Sequence, residues 1–254
     1  MNYVSINIEC GLGNRLFKIA AMLRYAELFG HTPIFVKSWV KEPYTVFDLF
    51  PTIQVYDTIP TGTWTTLKEQ PDDAYTYKPF VSHSTHVKLE GYYQAFQYIP
   101  TSFSLQNLPE QRAFDDTVFL HVRRGDYLSP LCRHHCVDLR SYYRSALGLL
   151  DTNVRILVCS DDIDWCKETL PDLYRDIVSE ERWVWVSKEW SDIDTLMAMV
   201  NCEQGAICAN SSFSWWGAYW STRSFVCMPG TWGYPPLPTV RNIYPPFALV
   251  LPVT

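Results

Sequence analysis

Apolar positions alternate with polar ones at the start of the chain, where Val4, Ile6 and Ile8 keep the two-residue period of a strand. The spacing changes after Gly11-Leu12-Gly13-Asn14, which reads as a tight turn. Leu16, Ile19, Ala20 and Leu23 then follow at helical intervals, and Gly30 is placed to end that helix. Residues 33–36 complete a βαβ opening. From Trp39 to Tyr98 the pattern is irregular and predicts only a mixed α/β lobe. The second half is regular. Apolar, strand-like runs at 117–122, 155–159, 183–186, 206–209 and 225–228 alternate with helical patterns at 141–150, 163–170, 193–202 and 213–220. This alternation predicts a parallel, doubly wound sheet, whose ligands bind beyond the carboxyl ends of the strands.

The polar residues fall at those ends. His121, Arg123, Arg124 and Asp126 follow the first of these runs, Asp161 and Asp162 the second, and Asn210, Ser211, Ser212 and Phe213 the fourth. Gly11, Leu12, Gly13 and Asn14 occupy the equivalent place in the first half. The simplest architecture is two Rossmann-type α/β lobes facing a cleft: an N-terminal lobe over 1–110, a C-terminal lobe over 111–230, and a tail over 231–254. That tail holds six prolines and is expected to run extended over the surface.

Composition narrows the function. With 47% hydrophobic and 19% charged residues the chain reads as an ordinary folded protein. A net charge of −6 argues against a non-specific nucleic-acid binder. No apolar run reaches membrane-span length, and no secretory leader opens the sequence. The eight cysteines therefore read as reduced thiols of a cytoplasmic protein. The 15% aromatic content is mainly core, with a share suited to packing on sugar rings.

Each motif also has a plainer reading. Two guanidiniums after a buried strand suit a pyrophosphate, and Asp126 suits an ion-pair brace for one of them. Asn210-Ser211-Ser212 suits a helix N-cap that also binds an anion. Gly11-Leu12-Gly13 is neither a Walker loop nor a full dinucleotide fingerprint, because Leu16 stands at the third glycine position. Asp162-Ile-Asp164 and Asp192-Ile-Asp194 stand at predicted helix starts, where capping explains them better than a metal. Cys132, His134, His135 and Cys136 have no second half at zinc-site spacing.

Together these strings resemble the α-1,2-fucosyltransferases of glycosyltransferase family 11. The resemblance rests on Cys10-Gly-Leu-Gly-Asn-Arg-Leu-Phe17, Glu90-Gly-Tyr-Tyr-Gln94, His121-Val-Arg-Arg-Gly-Asp-Tyr127, Ser160-Asp-Asp-Ile-Asp-Trp-Cys166 and Ala209-Asn-Ser-Ser-Phe-Ser-Trp-Trp-Gly217, in the family's order. It implies a GT-B-like fold and metal-independent, inverting transfer of L-fucose from GDP-β-L-fucose, as co-substrate, to a glycan hydroxyl. Arg123 then grips the β-phosphate with Arg124 assisting. His121 and Asp161 or Asp162 meet guanine and ribose, Ser211, Ser212 and Phe213 form a second phosphate-binding turn, and Asn14 contributes from the first lobe. Glu9, Glu90 and Asp126 are the candidate bases. The chain departs from the family pattern at Cys10 (usually Gly), Arg15 and Lys18 (both usually Gln). Alternatives are another GDP-sugar, another fucose linkage, and a nucleotide-sugar binding protein without turnover.

Overall fold

A computed structural model of the chain describes residues 1–106, 114–220, 225–235 and 242–254. The chain divides into two compact units, one of Met1–Leu108 with Pro238–Pro245, the other of Pro109–Leu237 with Pro246–Thr254. The lobe boundary expected at 110 lies outside the described residues.

The first unit is built on β1 (Tyr3–Ile6), β2 (Thr32–Val36), β3 (Gln54–Tyr56), β4 (Trp64–Lys68) and β5 (His86–Glu90), all parallel, in the order β3-β2-β1-β5-β4. Strand β1 ends earlier than expected. Ile8 leaves the ladder and makes an isolated parallel bridge with Val40. Helix α1 (Leu12–Phe29) also begins earlier, because the Asn14 and Arg15 amides close onto the Gly11 carbonyl at 3.1 and 3.2 Å. Gly11 to Asn14 is therefore the cap and first turn of a helix, not a turn preceding one. Gly30 ends α1 as expected, at φ +67 with its amide on the Ala26 carbonyl, a backbone shape glycine adopts without strain. The irregular stretch holds a short helix α2 (Thr45–Leu49) as well as β3, β4 and β5.

The second unit is a six-stranded parallel sheet of β6 (Thr117–Val122), β7 (Arg155–Ser160), β8 (Trp183–Trp185), β9 (Gly205–Ile207), β10 (Val226–Pro229) and β11 (Leu249–Leu251), in the order β11-β10-β9-β6-β7-β8. Its helices are α3 (Arg140–Leu147), α4 (Ile163–Leu173), α5 (Asp192–Val200) and α6 (Ser212–Tyr219). Every residue of β6 is buried, as a central strand covered on both faces requires, and this is why its Val118-Phe119-Leu120 core runs apolar without alternation. The Asp-x-Asp strings do cap helices. Asp162 accepts from the Trp165 amide at the start of α4, and Ser191 and Asp194 form a reciprocal capping box on α5.

The described part of the tail is largely exposed or half-buried but makes backbone pairings that were not expected. Its last segment adds β11 beside β10, with the Gly230 amide on the Leu251 carbonyl at 2.7 Å. Asn242 serves the first unit: its amide donates to the Tyr75 carbonyl, its carbonyl accepts from the Phe96 amide, and its side-chain oxygen accepts from the Tyr77 amide. The next residue, Ile243, is fully buried. Proline content concealed these backbone pairings.

Among the described residues no helix is long and apolar enough to cross a membrane. All eight cysteines are free thiols.

Candidate functional site

The topology of each sheet singles out one crevice. In the second unit the chain runs from β6 outward through β7 to β8, then returns to place β9 on the other side of β6. The β6 and β9 carboxyl ends therefore diverge, and such a switch point leaves an open crevice for a ligand. Arg123 and Arg124 follow β6; Asn210 to Phe213 follow β9.

The two arginines are held differently. Arg123 splits its fork between two carboxylates: Nη1 lies 2.9 Å from Asp161 Oδ2 and Nη2 2.7 Å from Asp126 Oδ1. Asp126 thus braces Arg123, as its position suggested. Arg124 donates from Nε to Asp162 Oδ2 at 3.0 Å, and its guanidinium lies 3.6 Å from the centre of the Trp165 ring. Its backbone amide donates to Asp161 Oδ1 at 2.9 Å. Asp161 and Asp162, expected at guanine and ribose, are here the anions that orient the arginines.

Gly125 is part of this packing. A Cβ there would lie 2.3 Å from Asp161 Oδ2, so the carboxylate occupies space that any side chain would take. The Asp162 amide is fixed by Ser160 Oγ at 3.0 Å.

The β9 side is anchored to the same loop. Tyr127 donates its hydroxyl to the Asn210 carbonyl at 3.0 Å. Asn210, 2% exposed, donates its side-chain amide to the carbonyls of His135 and Trp232, both at 2.9 Å, so those donors are engaged within the protein. Ser211 caps α6 by accepting from the Phe213 amide, and the Phe213 ring lies 5.7 Å from the His121 ring. Burial, aided by the nearby Arg123 charge, pulls the His121 imidazole down to about 3, so it is neutral at physiological pH. Its Nδ1 is buried with no hydrogen-bond partner among the described residues.

The first unit has its own switch point, where β1 lies between β2 and β5. Gln94, after β5, donates to Asn14 Oδ1 at 2.6 Å and so ties the two diverging loops together. Glu9 lies between two ammonium groups, 3.8 Å from Lys18 and 3.3 Å from Lys41. Glu90 accepts from Lys88 at 2.6 Å, which holds its carboxyl below the ordinary range. All three candidate bases, Glu9, Glu90 and Asp126, are thus carboxylates beside cations.

Sequence reasoning passed over Trp165 and Glu69 as site residues. Trp165 entered the sequence reading only as part of a matched string. Glu69 gave no signal, since it lies in the irregular stretch. Its Oε2 accepts from the Tyr92 and Tyr93 amides at 2.7 and 3.1 Å, fixing the turn after β5. Burial raises its carboxyl to about 7. Among the described residues no group of three or more His, Cys, Asp or Glu is arranged to hold a metal ion.

The sequence profile of glycosyl transferase family 11 matches residues 101–232, just over half of the chain. The chain belongs to glycosyl transferase family 11. The match spans β6 through β10 and so contains the whole arginine loop and the Asn210 to Phe213 segment. Among family relatives, the O-antigen biosynthesis glycosyltransferase WbnK of Escherichia coli is 33% identical over 127 residues, 46% of this chain and 39% of that protein. An alpha-1,2-colitosyltransferase of Escherichia coli is 28% identical over 131 residues, 50% of this chain and 43% of that protein. The matched span is thus about two-fifths of the length of these relatives. Among solved structures, fucosyltransferase NodZ from Bradyrhizobium superposes with a TM-score of 0.52 at 13% identity, covering 85% of this chain and 92% of that one. NodZ alpha-1,6-fucosyltransferase soaked with GDP-fucose gives 0.51 at 14% identity, covering 89% and 94%. At such identities the likeness is one of fold, and the two parallel α/β sheets of this family member are GT-B-like.

Proposed function

We propose that the protein is an inverting, metal-independent transferase that moves L-fucose from GDP-β-L-fucose to a glycan hydroxyl, forming an α-1,2 linkage to galactose or a similar sugar. One observation carries this reading: two guanidiniums and a backbone amide converge at the β6 switch point of a family 11 glycosyltransferase. Cleavage of the sugar–phosphate bond leaves positive charge on the ring and negative charge on the departing GDP. Arg123 and Arg124, already oriented by carboxylates and by Trp165, are preorganised to stabilise that departing charge. They supply cationic charge that a divalent ion would otherwise bring. The acceptor hydroxyl attacks the opposite face of the ring, and its proton passes to solvent or to one of Glu9, Glu90 and Asp126. His121 is assigned to the nucleoside, and Ser211, Ser212 and Phe213 to the diphosphate.

The α-1,2 linkage is supported by the motif resemblance and by the name of the colitosyltransferase relative. That same relative supports a second reading, transfer of a different sugar. The NodZ fold carries α-1,6 transfer, so linkage is set by loops and not by architecture. Calorimetric titration with GDP-fucose, GDP-mannose and GDP, each with chelator present, tests the donor. Tighter binding of GDP-fucose is the expected result, and transfer to galactose-terminated oligosaccharides at an unchanged rate in chelator completes it. Absence of GDP binding would sink the proposal.

A further inference from the structure

Several of the donors that would receive a diphosphate are held by carboxylates. Asp161 bridges two of them, with one oxygen on Arg123 Nη1 and the other on the Arg124 amide, both at 2.9 Å. This is how two oxygens of one phosphate group would use the same pair. Asp126 takes the remaining arm of the Arg123 fork. Counting Arg123 and Arg124 (+2) against Asp126, Asp161 and Asp162 (−3), the cluster carries a net charge of −1. An anion that uses Arg123 Nη1 and the Arg124 amide must displace Asp161 from them.

We infer that Asp161 is a specificity-determining residue that engages the donors a diphosphate would use and must be exchanged for it on binding. The inference rests on the donor reading above and deepens it. Displacing a tethered carboxylate costs the same for every anion, but the return differs. Inorganic phosphate or pyrophosphate recovers only the contacts that Asp161 gave up. A nucleoside diphosphate recovers those and adds base and ribose contacts. The released Asp161 carboxylate then becomes an acceptor for ribose hydroxyls, so one side chain rejects free phosphates and recognises the nucleoside. Gly125 fits this role, because the missing side chain is what admits the carboxylate to these donors.

Inorganic pyrophosphate and GDP are the probes, titrated against the whole protein and its Asp161→Asn variant. The amide keeps the shape of the side chain and removes its charge. Pyrophosphate is expected to bind the variant about fivefold more tightly, the scale of one partly exposed ion pair. GDP is expected to gain less or to weaken, as its ribose contact is lost. Asp126→Asn is expected to act in the same direction with a smaller effect, since Asp126 is the more exposed of the pair, and it serves alone should the Asp161 variant fail to fold. GDP binding to the unaltered protein, with pyrophosphate affinity unchanged or weakened in the variants, overturns this role of Asp161 and leaves the donor site intact. Failure of GDP to bind the unaltered protein overturns the donor assignment, and this inference with it.

Discussion

Replacing Arg123 separates a chemical role from a structural one. Its side chain is 32% exposed and makes two ion pairs, with Asp126 and Asp161. Pairs exposed to this degree contribute about 0.2–1 kcal/mol each, so Arg123→Ala is expected to destabilise the fold by no more than about 2 kcal/mol. At about 2–4 °C per kcal/mol in a chain of this size, the melting temperature should fall by less than about 8 °C. The catalytic loss should be larger. Deleting one preorganised donor to developing negative charge lowers turnover by roughly 10²–10³. Arg123→Lys is expected to fall between, because one ammonium cannot reproduce a fork whose arms reach two anions. The assay is transfer of labelled fucose to a galactose-terminated oligosaccharide, with kcat/KM and melting temperature measured on the same preparations. An alanine variant that stays folded and keeps kcat/KM within tenfold of the parent would refute the assignment.

Two further substitutions probe the loops on which the site depends. Glu69 is raised to about 7 by burial, so its ionisation opposes folding: the unfolded chain ionises near 4.5, and stability declines from there to about 7. Glu69→Gln, which keeps an acceptor for the Tyr92 and Tyr93 amides, is therefore expected to stabilise the protein by about 1–2 kcal/mol at pH 8, after discounting for solvent screening. Urea denaturation at pH 8 and pH 4 should show that gain vanish in acid; an equal effect at both would contradict the assigned ionisation. Gly125→Ala sets a Cβ 2.3 Å from Asp161 Oδ2 and must push the carboxylate off Arg123 and the Arg124 amide, costing about 1–2 kcal/mol. A melting curve identical to the parent's would show that Asp161 does not sit there.

What the sequence made legible follows from burial. Strand β6 was read to the residue and β7 to within one, because strands covered on both faces have cores that run apolar without alternation. Strands β3, β4 and β5 were missed: β3 and β4 are sheet edges in which exposed and half-buried residues mix without clean alternation, whereas β5 does alternate but has only two apolar residues, Val87 and Leu89, among polar ones. The arginine pair was visible as two charges directly after a buried strand. Its partners were less so: Asp161 and Asp162 were seen as loop polar groups, but their hold on Arg123 and Arg124 joins positions 37 and 38 residues apart and emerges only when β6 and β7 lie side by side. Trp165 was read as part of a string and not as a platform, because nothing in its spacing reveals the guanidinium above it. The β11 strand stayed hidden among prolines, where backbone pairing leaves no mark on composition.

Cys10, in the loop after β1, and Arg15 and Lys18, in the first turns of α1, belong to one packed corner. Cys10 adopts φ +71, the left-handed conformation that glycine accepts most readily. The strain implied there has local compensation. Arg15, buried at 4% exposure, donates from Nε to the Cys10 carbonyl at 2.7 Å and from its two other nitrogens to the Pro43 and Glu42 carbonyls. A glutamine could not span those three acceptors, having one side-chain amide in place of a five-donor fork. Cys10 Sγ lies 3.4 Å from the Tyr92 hydroxyl, and Lys18 sits 4.7 Å over the Tyr92 ring while pairing with Glu9. Burial lowers the Lys18 ammonium from its ordinary range, and the neighbouring Glu9 offsets part of that cost. Each of the three residues thus touches another of them or shares a partner with it. Replacing Arg15 by glutamine would strand carbonyls, and replacing Lys18 would leave Glu9 with Lys41 alone; because the two side chains share this corner, their effects should be coupled and not additive.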